Sequence, residues 1–260
     1  MAVGVGSSAV ACSLTTNFDG IDGVRPEGGI PESGVDAEAG ASDAPVQPFC
    51  ARQTHFFCAD FDQGKLEQGW QQLIADPGSS GLLDTTAFVS PPGSFDAFAH
   101  ADAGGNSGVV LVNKFVTTPS GLHAELDVRV DACDALSVAN LLFIQPGGPY
   151  SEILLFSGSS GNAFFNELYP DGDGGTVQNS YQVGALPVGT WVHTVIDVGF
   201  SPSSSVVKVV FHPSTGSDST LMRALGPIVP GGDILVNVGV YRPLALCRAH
   251  FDNVAFDMTP

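Results

Sequence analysis

Two segments far apart in the chain, Phe57–Asp62 and His250–Asp257, share one sequence pattern. In both, aromatic or apolar residues alternate with acids, which is the period-2 pattern of a strand with one buried face. A domain whose first and last segments share this pattern is expected to close by pairing its own ends in one sheet. The pattern therefore indicates a single folded domain that begins shortly before Phe57 and ends with the second segment.

Composition favours β structure for this domain. Charged residues make up 14% of the chain, which also contains 32 glycines and 18 prolines, and this balance favours strands and turns over helices. Short apolar runs recur between turn residues, and none approaches the length of a membrane span. Ten of them are predicted strands: Val109–Thr117, Gly121–Asp131, Ser137–Ile144, Glu152–Phe156, Ala163–Tyr169, Val177–Val183, Thr190–Gly199, Val206–His212, Ile234–Tyr241 and Ala249–Asp257. We therefore predict an all-β domain over residues 50–260, a two-sheet antiparallel β-sandwich.

The net charge limits the classes of partner. It is −18, with only nine lysines and arginines in the chain. Such a surface repels phosphate backbones and anionic lipid headgroups, so nucleic acid is not an expected partner. Cations, or neutral ligands such as sugars, fit this charge better. We expect a monomer that binds a glycan or an extracellular protein.

The N-terminal residues indicate export. Residues 1–12 are small and apolar and end in Ala9-Val10-Ala11-Cys12, which resembles the end of a truncated bacterial lipoprotein signal with Cys12 as the lipidated residue. Residues 13–49 are rich in Gly, Ala, Pro and acids, and we predict a disordered acidic linker. A lipidated cysteine followed by such a spacer resembles surface lipoproteins of myxobacteria. We expect an outer-membrane or cell-surface lipoprotein, or a secreted protein, that touches the membrane only through its lipid anchor.

Cysteine parity agrees with export. With Cys12 set aside as a lipid anchor, four of the five cysteines remain, namely Cys50, Cys58, Cys133 and Cys247. Four cysteines allow three pairings, and sequence does not choose among them. The short spacing of Cys50 and Cys58 suggests a local loop, which would leave Cys133 to pair with Cys247. Metal binding is the alternative use, and the absence of a Cys-x-x-Cys pair speaks against it.

The order of several motifs resembles the concanavalin A-like lectin and glucanase superfamily, including laminin G-like domains. The matching residues are Phe57–Asp62 with Trp70, Ser90-Pro91-Pro92-Gly93-Ser94, Gly189–His193, Val206–Phe211 and Phe251-Asp252-Asn253-Val254. This resemblance spans about residues 55–260 and implies a jelly roll of two curved antiparallel sheets. It also implies carbohydrate binding or, in the enzymatic branches, glycan hydrolysis.

The glucanase branch of that superfamily carries three acids on one strand. Hydrolysis needs two carboxyl groups that flank the bond. Here Glu125 and Asp127 match the first two acids, but Arg129 or Val130 stands where the third belongs. We therefore predict a non-catalytic domain in which Glu125 and Asp127 contact ligand, and expect His193 and His250 to be ordinary strand residues. The alternative is a hydrolase or lyase with displaced acids, Glu125, Asp127 and Glu167.

Oxygen-bearing side chains suggest a structural calcium ion. Asp60 and Asp62 would meet Asp252 and Asn253 if the end strands pair, and calcium binds carboxylate and amide oxygens. Related sugar-binding sandwiches often hold an ion between their chain ends, so the resemblance supports the same four residues. Asp171 and Asp173 form a second acidic pair, for which a plain turn is the better interpretation.

Aromatic residues are the candidate platforms for sugar rings. Tyr150 and Tyr169 flank loops rich in Gly, Pro or Asp and are predicted to line a groove. Trp191 lies within a predicted strand and is expected in the core. The favoured hypothesis is a glycan-binding or adhesion module, and the alternative is a structural or protein-binding laminin G-like domain.

Overall fold

The computed structural model describes residues 47–100, 108–133, 139–147, 152–157, 161–171, 173, 175–243 and 245–260. The predicted leader, lipidation of Cys12 and nearly all of the predicted linker fall outside these residues and stay predictions. The described chain begins with a 3-10 turn at Cys50–Arg52 and continues as fifteen strands, without an α-helix among the described residues. No helix in this part of the chain is long and apolar enough to cross a membrane.

The strands form two antiparallel sheets. Sheet A contains β1 (Phe57–Ala59), β3 (Ser80–Asp84), β4 (Ser94–Ala99), β6 (Gly121–Cys133), β11 (Val192–Gly199), β12 (Val206–Pro213), β13 (Ser219–Ala224) and β15 (Cys247–Thr259). Sheet B contains β2 (Gln72–Ala75), β5 (Gly108–Val116), β7 (Ala139–Gln145), β8 (Glu152–Ser157), β9 (Asn162–Pro170), β10 (Thr176–Ala185) and β14 (Asp233–Tyr241). The order is β13-β12-β11-β6-β15-β4-β3 in sheet A, with β1 also paired to β15, and β10-β9-β8-β7-β14-β5-β2 in sheet B. The predicted two-sheet β-sandwich is confirmed.

The ends of the domain pair as the sequence pattern predicts. β1 lies antiparallel to β15 with Phe57 opposite Phe256, and their rings stack with centroids 5.5 Å apart. Trp70 packs edge-on against Phe57 at 4.8 Å, so the closure lies inside the aromatic core. The first strand is shorter than predicted. It ends at Ala59 because Phe61 takes a left-handed backbone conformation, with φ 58°, and cannot continue the ladder.

One apolar core fills the space between the sheets. Its largest fully buried side chains are aromatic: Phe95, Phe165, Phe211, Phe251 and Phe256. The alternation predicted for two strands is confirmed, because Leu122, Leu126 and Val128 of β6 and Val192 and Ile196 of β11 all belong to this core. Successive side chains point to opposite faces of a strand, so the polar residues between them lie on the outer face of sheet A.

Four strands escape the sequence analysis, whereas the described ends of the ten predicted strands agree within two residues. The missed strands are β2, β3, β4 and β13. β2 and β3 are short and half exposed, and Gly81 interrupts the apolar pattern of β3. β4 is buried on both faces, and in β13 only Leu221 is buried, so neither shows a period of two.

Two disulfides staple the domain, Cys50–Cys58 and Cys133–Cys247. Cys133 and Cys247 stand opposite each other in the β6–β15 ladder, which brings them together across 114 residues of sequence. Both pairings agree with the sequence interpretation. Disulfides persist in oxidising compartments, so they fit an exported domain.

Removing the long-range disulfide should lower the free energy of unfolding more than removing the local one. In the chain-entropy account, the Cys133→Ser/Cys247→Ser variant loses about 5 kcal/mol of unfolding free energy and the Cys50→Ser/Cys58→Ser variant about 2.5 kcal/mol. Urea unfolding without reductant measures both. Equal losses would show that the Cys133–Cys247 disulfide does not stabilise the domain by closing the long loop.

Candidate functional site

The outer face of sheet A is densely charged. It collects polar side chains from six strands because each strand keeps its apolar residues on the core side. Its central acids are Asp84, Asp96, Glu125, Asp127, Asp131 and Asp197, interleaved with His123, His193, His212, His250, Arg129, Arg248 and Lys208. The predicted ligand-binding acids Glu125 and Asp127 both lie on this face, and their contact with ligand stays a prediction.

His123 bridges two of these acids. Its Nδ1 lies 2.6 Å from Asp197 Oδ1, and its Nε2 lies 2.8 Å from Glu125 Oε1. Burial alone would lower the pKa of the imidazole, but the hydrogen bonds to Asp197 and Glu125 outweigh it and raise that pKa to about 10. The His123 hydrogen bond in turn lowers the pKa of Glu125. The three side chains therefore form an ionised unit across β6 and β11.

Asp127 occupies the middle of a hydrogen-bonded chain. Its Oδ1 lies 3.0 Å from His193 Nδ1, and its Oδ2 accepts a 2.7 Å hydrogen bond from Asn253 Nδ2. His193 Nε2 lies 3.8 Å from Glu125 Oε2. The two acids that the sequence places side by side on β6 are thus connected through an imidazole, an arrangement that the sequence does not show.

Glu167 does not join Glu125 and Asp127. It lies on the core side of β9, 1% exposed, where its carboxylate accepts hydrogen bonds from Asn179, Tyr181 and the backbone N–H of Gly226. Burial and then Glu167 raise the pKa of Tyr181 to about 12. Glu167 faces the interior between the sheets, so it does not lie beside Glu125 and Asp127, and a catalytic role for these acids stays a prediction.

His250 is the centre of a second cluster on sheet A. It is 2% exposed, with Nε2 2.8 Å from Asp84 Oδ2 and Nδ1 2.7 Å from Asp131 Oδ2. Arg248 makes two hydrogen bonds to Asp96 beside it, at 2.8 and 2.6 Å. The prediction of an ordinary strand histidine misses this environment, since alternation does not show which acids stand opposite across neighbouring strands.

Trp191 is not a core residue, and that expectation is wrong. It precedes β11, is half-buried and packs edge-on against His250 with centroids 6.4 Å apart. The period-2 alternation of this segment, which puts Val192 in the core, also puts Trp191 outside. It therefore belongs to the charged face of sheet A.

A bulge in β15 shapes the corner next to Asp127. The ladder to β6 shifts by one residue between Asp252 and Ala255, and Asn253 takes φ 49°. Asp252 is completely buried and accepts hydrogen bonds from the backbone N–H groups of Val89, Ser90 and Asn253, at 2.8 to 2.9 Å. Burial raises the pKa of Asp252 to about 7 even though these donors lower it, and the Asp127 charge adds to the increase.

The predicted calcium ligands divide into two groups. Asp252 and Asn253 use their polar atoms within the protein, in the corner just described. Asp60 accepts hydrogen bonds from the N–H groups of Cys50 and Asp62.

The Asp62 carboxylate differs, because both oxygens are buried and make no hydrogen bond of ordinary geometry among the described residues. Burial, and then the Asp60 charge, raises the pKa of Asp62 to about 6. The nearby N–H groups of Gly93 and Phe49 and the Ser90 hydroxyl act against this increase and lower that pKa.

Acid clustering gives no centre of three metal ligands in the described part of the chain, including the surroundings of Asp60 and Asp62. No group of three His, Cys, Asp or Glu side chains among the described residues could hold a metal ion. Asp171 forms the plain turn that was expected, since its Oδ1 accepts hydrogen bonds from the N–H groups of Asp173 and Gly175. Asp62 is therefore the one predicted ligand, in the described part of the chain, whose oxygens make no hydrogen bond of ordinary geometry.

Sheet B carries a groove on its outer face. The cavity has a volume of ≈ 270 Å³ and is lined by Ile74, Asp76, Gly108, Val110, Val112, Leu235, Asn237 and Tyr241. These residues come from β5, β14 and β2 with the turn that follows it. At this groove the outer face of sheet B is mostly apolar, whereas the outer face of sheet A is ionic.

The glycine opposite Tyr241 and the side chains beside it fix the position of the Tyr241 ring in this groove. Tyr241 stands opposite Gly108, where a Cβ would lie 2.9 Å from the Tyr241 ring, so a larger residue at position 108 would displace the ring. Phe143 of β7 packs beside Tyr241 with centroids 6.2 Å apart, and the guanidinium of Arg242 lies 4.9 Å from the ring centroid on the same tyrosine. The groove therefore contains one aromatic ring, that of Tyr241, which packs against the buried Phe143 beside the lining.

One buried side-chain oxygen in this groove has no hydrogen-bond partner in the part of the chain that the structure describes. Asn237 stands opposite Phe143 and Val112, and its Oδ1 is buried without a hydrogen bond among the described residues. A buried amide oxygen without a donor costs about 1–3 kcal/mol. The oxygen has almost no exposed surface, so a hydroxyl group of a bound molecule would supply the missing donor once the side chain turns this oxygen towards the groove.

The predicted sugar platforms lie elsewhere. Tyr150 falls outside the described residues. Tyr169 packs on Gly226, where a Cβ would lie 2.5 Å from its ring, on the same side of β9 as Glu167. The sequence analysis misses Phe143 and Asn237. The signal was present in the predicted strand Ile234–Tyr241, whose alternation separates Leu235, Asn237 and Tyr241 from the buried valines.

The sequence matches no protein-family model and no curated protein. The fold is that of jelly-roll β-sandwich proteins, as the sequence resemblance implies. An endo-β-1,4-glucuronan lyase from the fungus Trichoderma reesei is similar with a TM-score of 0.64 and 12% identity, over 79% of this chain and 96% of that one. A PL-14 alginate lyase from Aplysia kurodai has a TM-score of 0.61 and 12% identity, over 80% and 100%. The cellulose induced protein Cip1 has a TM-score of 0.54 and 14% identity, over 78% and 97%.

His123→Gln should destabilise the domain in a defined pH window. The raised pKa of His123 means that its ion pairs stabilise the fold fully below the unfolded-state value of 6.5 and lose this effect as pH rises towards about 10. In acid, protonation of Glu125 breaks its ion pair with His123, so this stabilisation is lost as pH falls through the lowered pKa of Glu125. We expect a loss of about 2 kcal/mol near pH 6 that vanishes at alkaline pH, measured by urea unfolding.

The matched control is His212→Gln. His212 pairs with Asp218, and both side chains are largely exposed. Such a pair contributes about 0–1 kcal/mol. If the two variants show the same small, pH-independent loss, His123 does not hold an ionised unit together.

Proposed function

We propose that this chain is an exported, non-catalytic carbohydrate-binding module whose ligand lies in the groove on the outer face of sheet B. The observation that carries the proposal is the unpartnered amide oxygen of Asn237 beside the Tyr241–Phe143 aromatic pair. Sugar sites combine an aromatic platform with a few polar groups that fix orientation. The groove volume of ≈ 270 Å³ suits a short stretch of a glycan chain.

The comparisons support the same class of ligand. Two of the similar structures are described as polysaccharide lyases and the third as a cellulose-induced protein. In this chain the groove lining includes one carboxylate, Asp76, among the described residues. Glycoside hydrolysis commonly uses two carboxyl groups that flank the bond. Binding without cleavage is therefore the function that this lining supports.

Polysaccharide cleavage is the second candidate, and it has one observation in its favour. His193 lies 3.0 Å from Asp127 and 3.8 Å from Glu125 on the outer face of sheet A. An imidazole oriented by one carboxylate and close to another is a common acid–base arrangement. This function needs a polysaccharide on sheet A, beside Trp191, instead of sheet B.

We also propose a structural calcium ion at Asp62. Both buried oxygens of this carboxylate make no hydrogen bond of ordinary geometry, and calcium is bound by such oxygens together with backbone carbonyls and water. Asp60 would add negative charge beside it. Such an ion would neutralise the acids next to the closure between β1 and β15. Asp252 and Asn253, whose polar atoms have protein partners, are left out of the revised ligand set.

Tyr241→Ala and Asn237→Ala should each weaken glycan binding by roughly tenfold, because they remove the platform and its hydrogen-bond acceptor. Glycan-array and calorimetric titrations measure the affinity. Phe56→Ala is the control, since Phe56 is an aromatic residue, 66% exposed, outside the groove.

The same titrations separate the alternatives. Binding that survives Tyr241→Ala but is lost in Trp191→Ala or Glu125→Gln would place the ligand on sheet A. Release of shortened glycans, abolished by Glu125→Gln, would replace the binding module with an enzyme. Capture of a protein without any dependence on sugar would favour the laminin G-like alternative.

Calcium should stabilise the wild-type domain but not Asp62→Asn. At a free concentration about a hundredfold above its Kd, an ion that binds only the folded state adds about 2.7 kcal/mol. In EDTA the variant should be at least as stable as wild type at neutral pH, because the raised pKa of Asp62 means that its ionised form opposes folding. Thermal unfolding in calcium and in EDTA tests this, with the exposed Asp173→Asn as control.

A further inference from the structure

We infer that the groove on sheet B selects uncharged glycans and discriminates against polyuronates. This inference rests on the proposed function and adds the class of ligand. It is of interest because two proteins with a similar fold are described as lyases of glucuronan and alginate, which are both polyuronates.

The first step concerns hydrogen bonding. Asn237 Oδ1 is an acceptor that needs a donor, and sugar hydroxyl groups are donors. A neutral hexose presents a hydroxymethyl donor where a uronate presents a carboxylate that only accepts. Both keep their ring hydroxyl groups, so the neutral sugar offers this oxygen one more donor. The unmet acceptor therefore favours a sugar that presents hydroxyl groups towards β14.

The second step concerns charge. No Lys or Arg is among the residues that line the groove in the described part of the chain, whereas Asp76 is. Asp76 is held in place by its backbone, since its N–H donates to Gly108 O at 3.0 Å and its carbonyl accepts from Ser79 N at 2.9 Å. A polyuronate would bring repeated negative charge against this carboxylate, in a chain whose net charge is −18.

The third step concerns Lys114 and Arg242, which lie within or directly after the groove strands in sequence but are not among the residues that line the groove. Lys114 of β5 pairs with Asp233 at 2.6 Å. Arg242 lies over the ring of Tyr241 at 4.9 Å from its centroid. A uronate carboxylate in the groove would have to draw Lys114 away from Asp233 or bind Arg242 outside the lining. A neutral sugar needs no counter-ion.

The test compares matched probes with the full chain. Neutral polymers (cellulose, β-1,3-glucan, mannan) and polyuronates (glucuronan, alginate) are titrated at low and high salt. We expect saturable binding of at least one neutral polymer with little salt dependence, and affinity for both polyuronates at least roughly tenfold weaker. Equal or tighter binding of either polyuronate overturns the inference but leaves the carbohydrate-binding function intact. Absence of binding to every polymer overturns the proposed function itself.

Charge reversal at one position tests the cause. Asp76→Lys should raise the ratio of polyuronate to neutral-glycan affinity by roughly tenfold, and Asp76→Asn should raise it less. Asp173→Lys makes the same change of charge on an exposed turn and controls for the net charge of the chain. If Asp76→Lys and Asp76→Asn shift the ratio no more than the control does, Asp76 does not exclude uronates.

Discussion

The last strand, β15, is the element on which the rest of the sandwich depends. One of its edges pairs with β6 along most of its length, and the other is shared by β4 and β1. Phe251 and Phe256 of this strand are fully buried in the core. Between the stretches paired to β4 and β1, the bulge at Asp252 and Asn253 reaches the Val89–Ser90 backbone and Asp127. The closure of the fold and the order of the ionic face thus come from the same segment.

The outer faces of the two sheets differ in how far their polar groups are hydrogen-bonded within the protein. On sheet A, imidazoles and carboxylates contact one another across neighbouring strands, so many hydrogen-bonding groups already have protein partners. On sheet B, the groove presents aromatic and aliphatic surface with an amide oxygen that still lacks one. A glycan binds where acceptors are available and apolar surface is exposed, and this contrast is the physical basis for choosing sheet B.

Sequence predicts the fold well and the site poorly, for different reasons. Alternation along a single strand identifies β6 and β11 and says which residues face the core. The matching end segments predict the β1–β15 pairing. The spacing of two cysteines suggests one local loop and hence the second pairing. Each of these features can be recognised within one short segment, or from two segments that share the same alternating pattern.

The candidate site depends on pairing between strands, which alternation does not give. Phe143 meets Asn237 and Tyr241 only because β7 lies next to β14, although the two strands are far apart in the chain. In the same way, His250 meets Asp84 and Asp131 through three different strands. Glu167 illustrates the opposite case, because its face of β9 could not be assigned without knowing its neighbours.

An amide-resolved NMR titration of the domain with a soluble neutral β-glucan oligosaccharide tests the central claim most directly. The account predicts that the largest shift changes fall on Gly108–Val112 and Leu235–Tyr241, the strands that line the groove. Changes confined to Glu125–Arg129 and Trp191–Val195 would contradict it, because the ligand would then lie on the ionic face of sheet A.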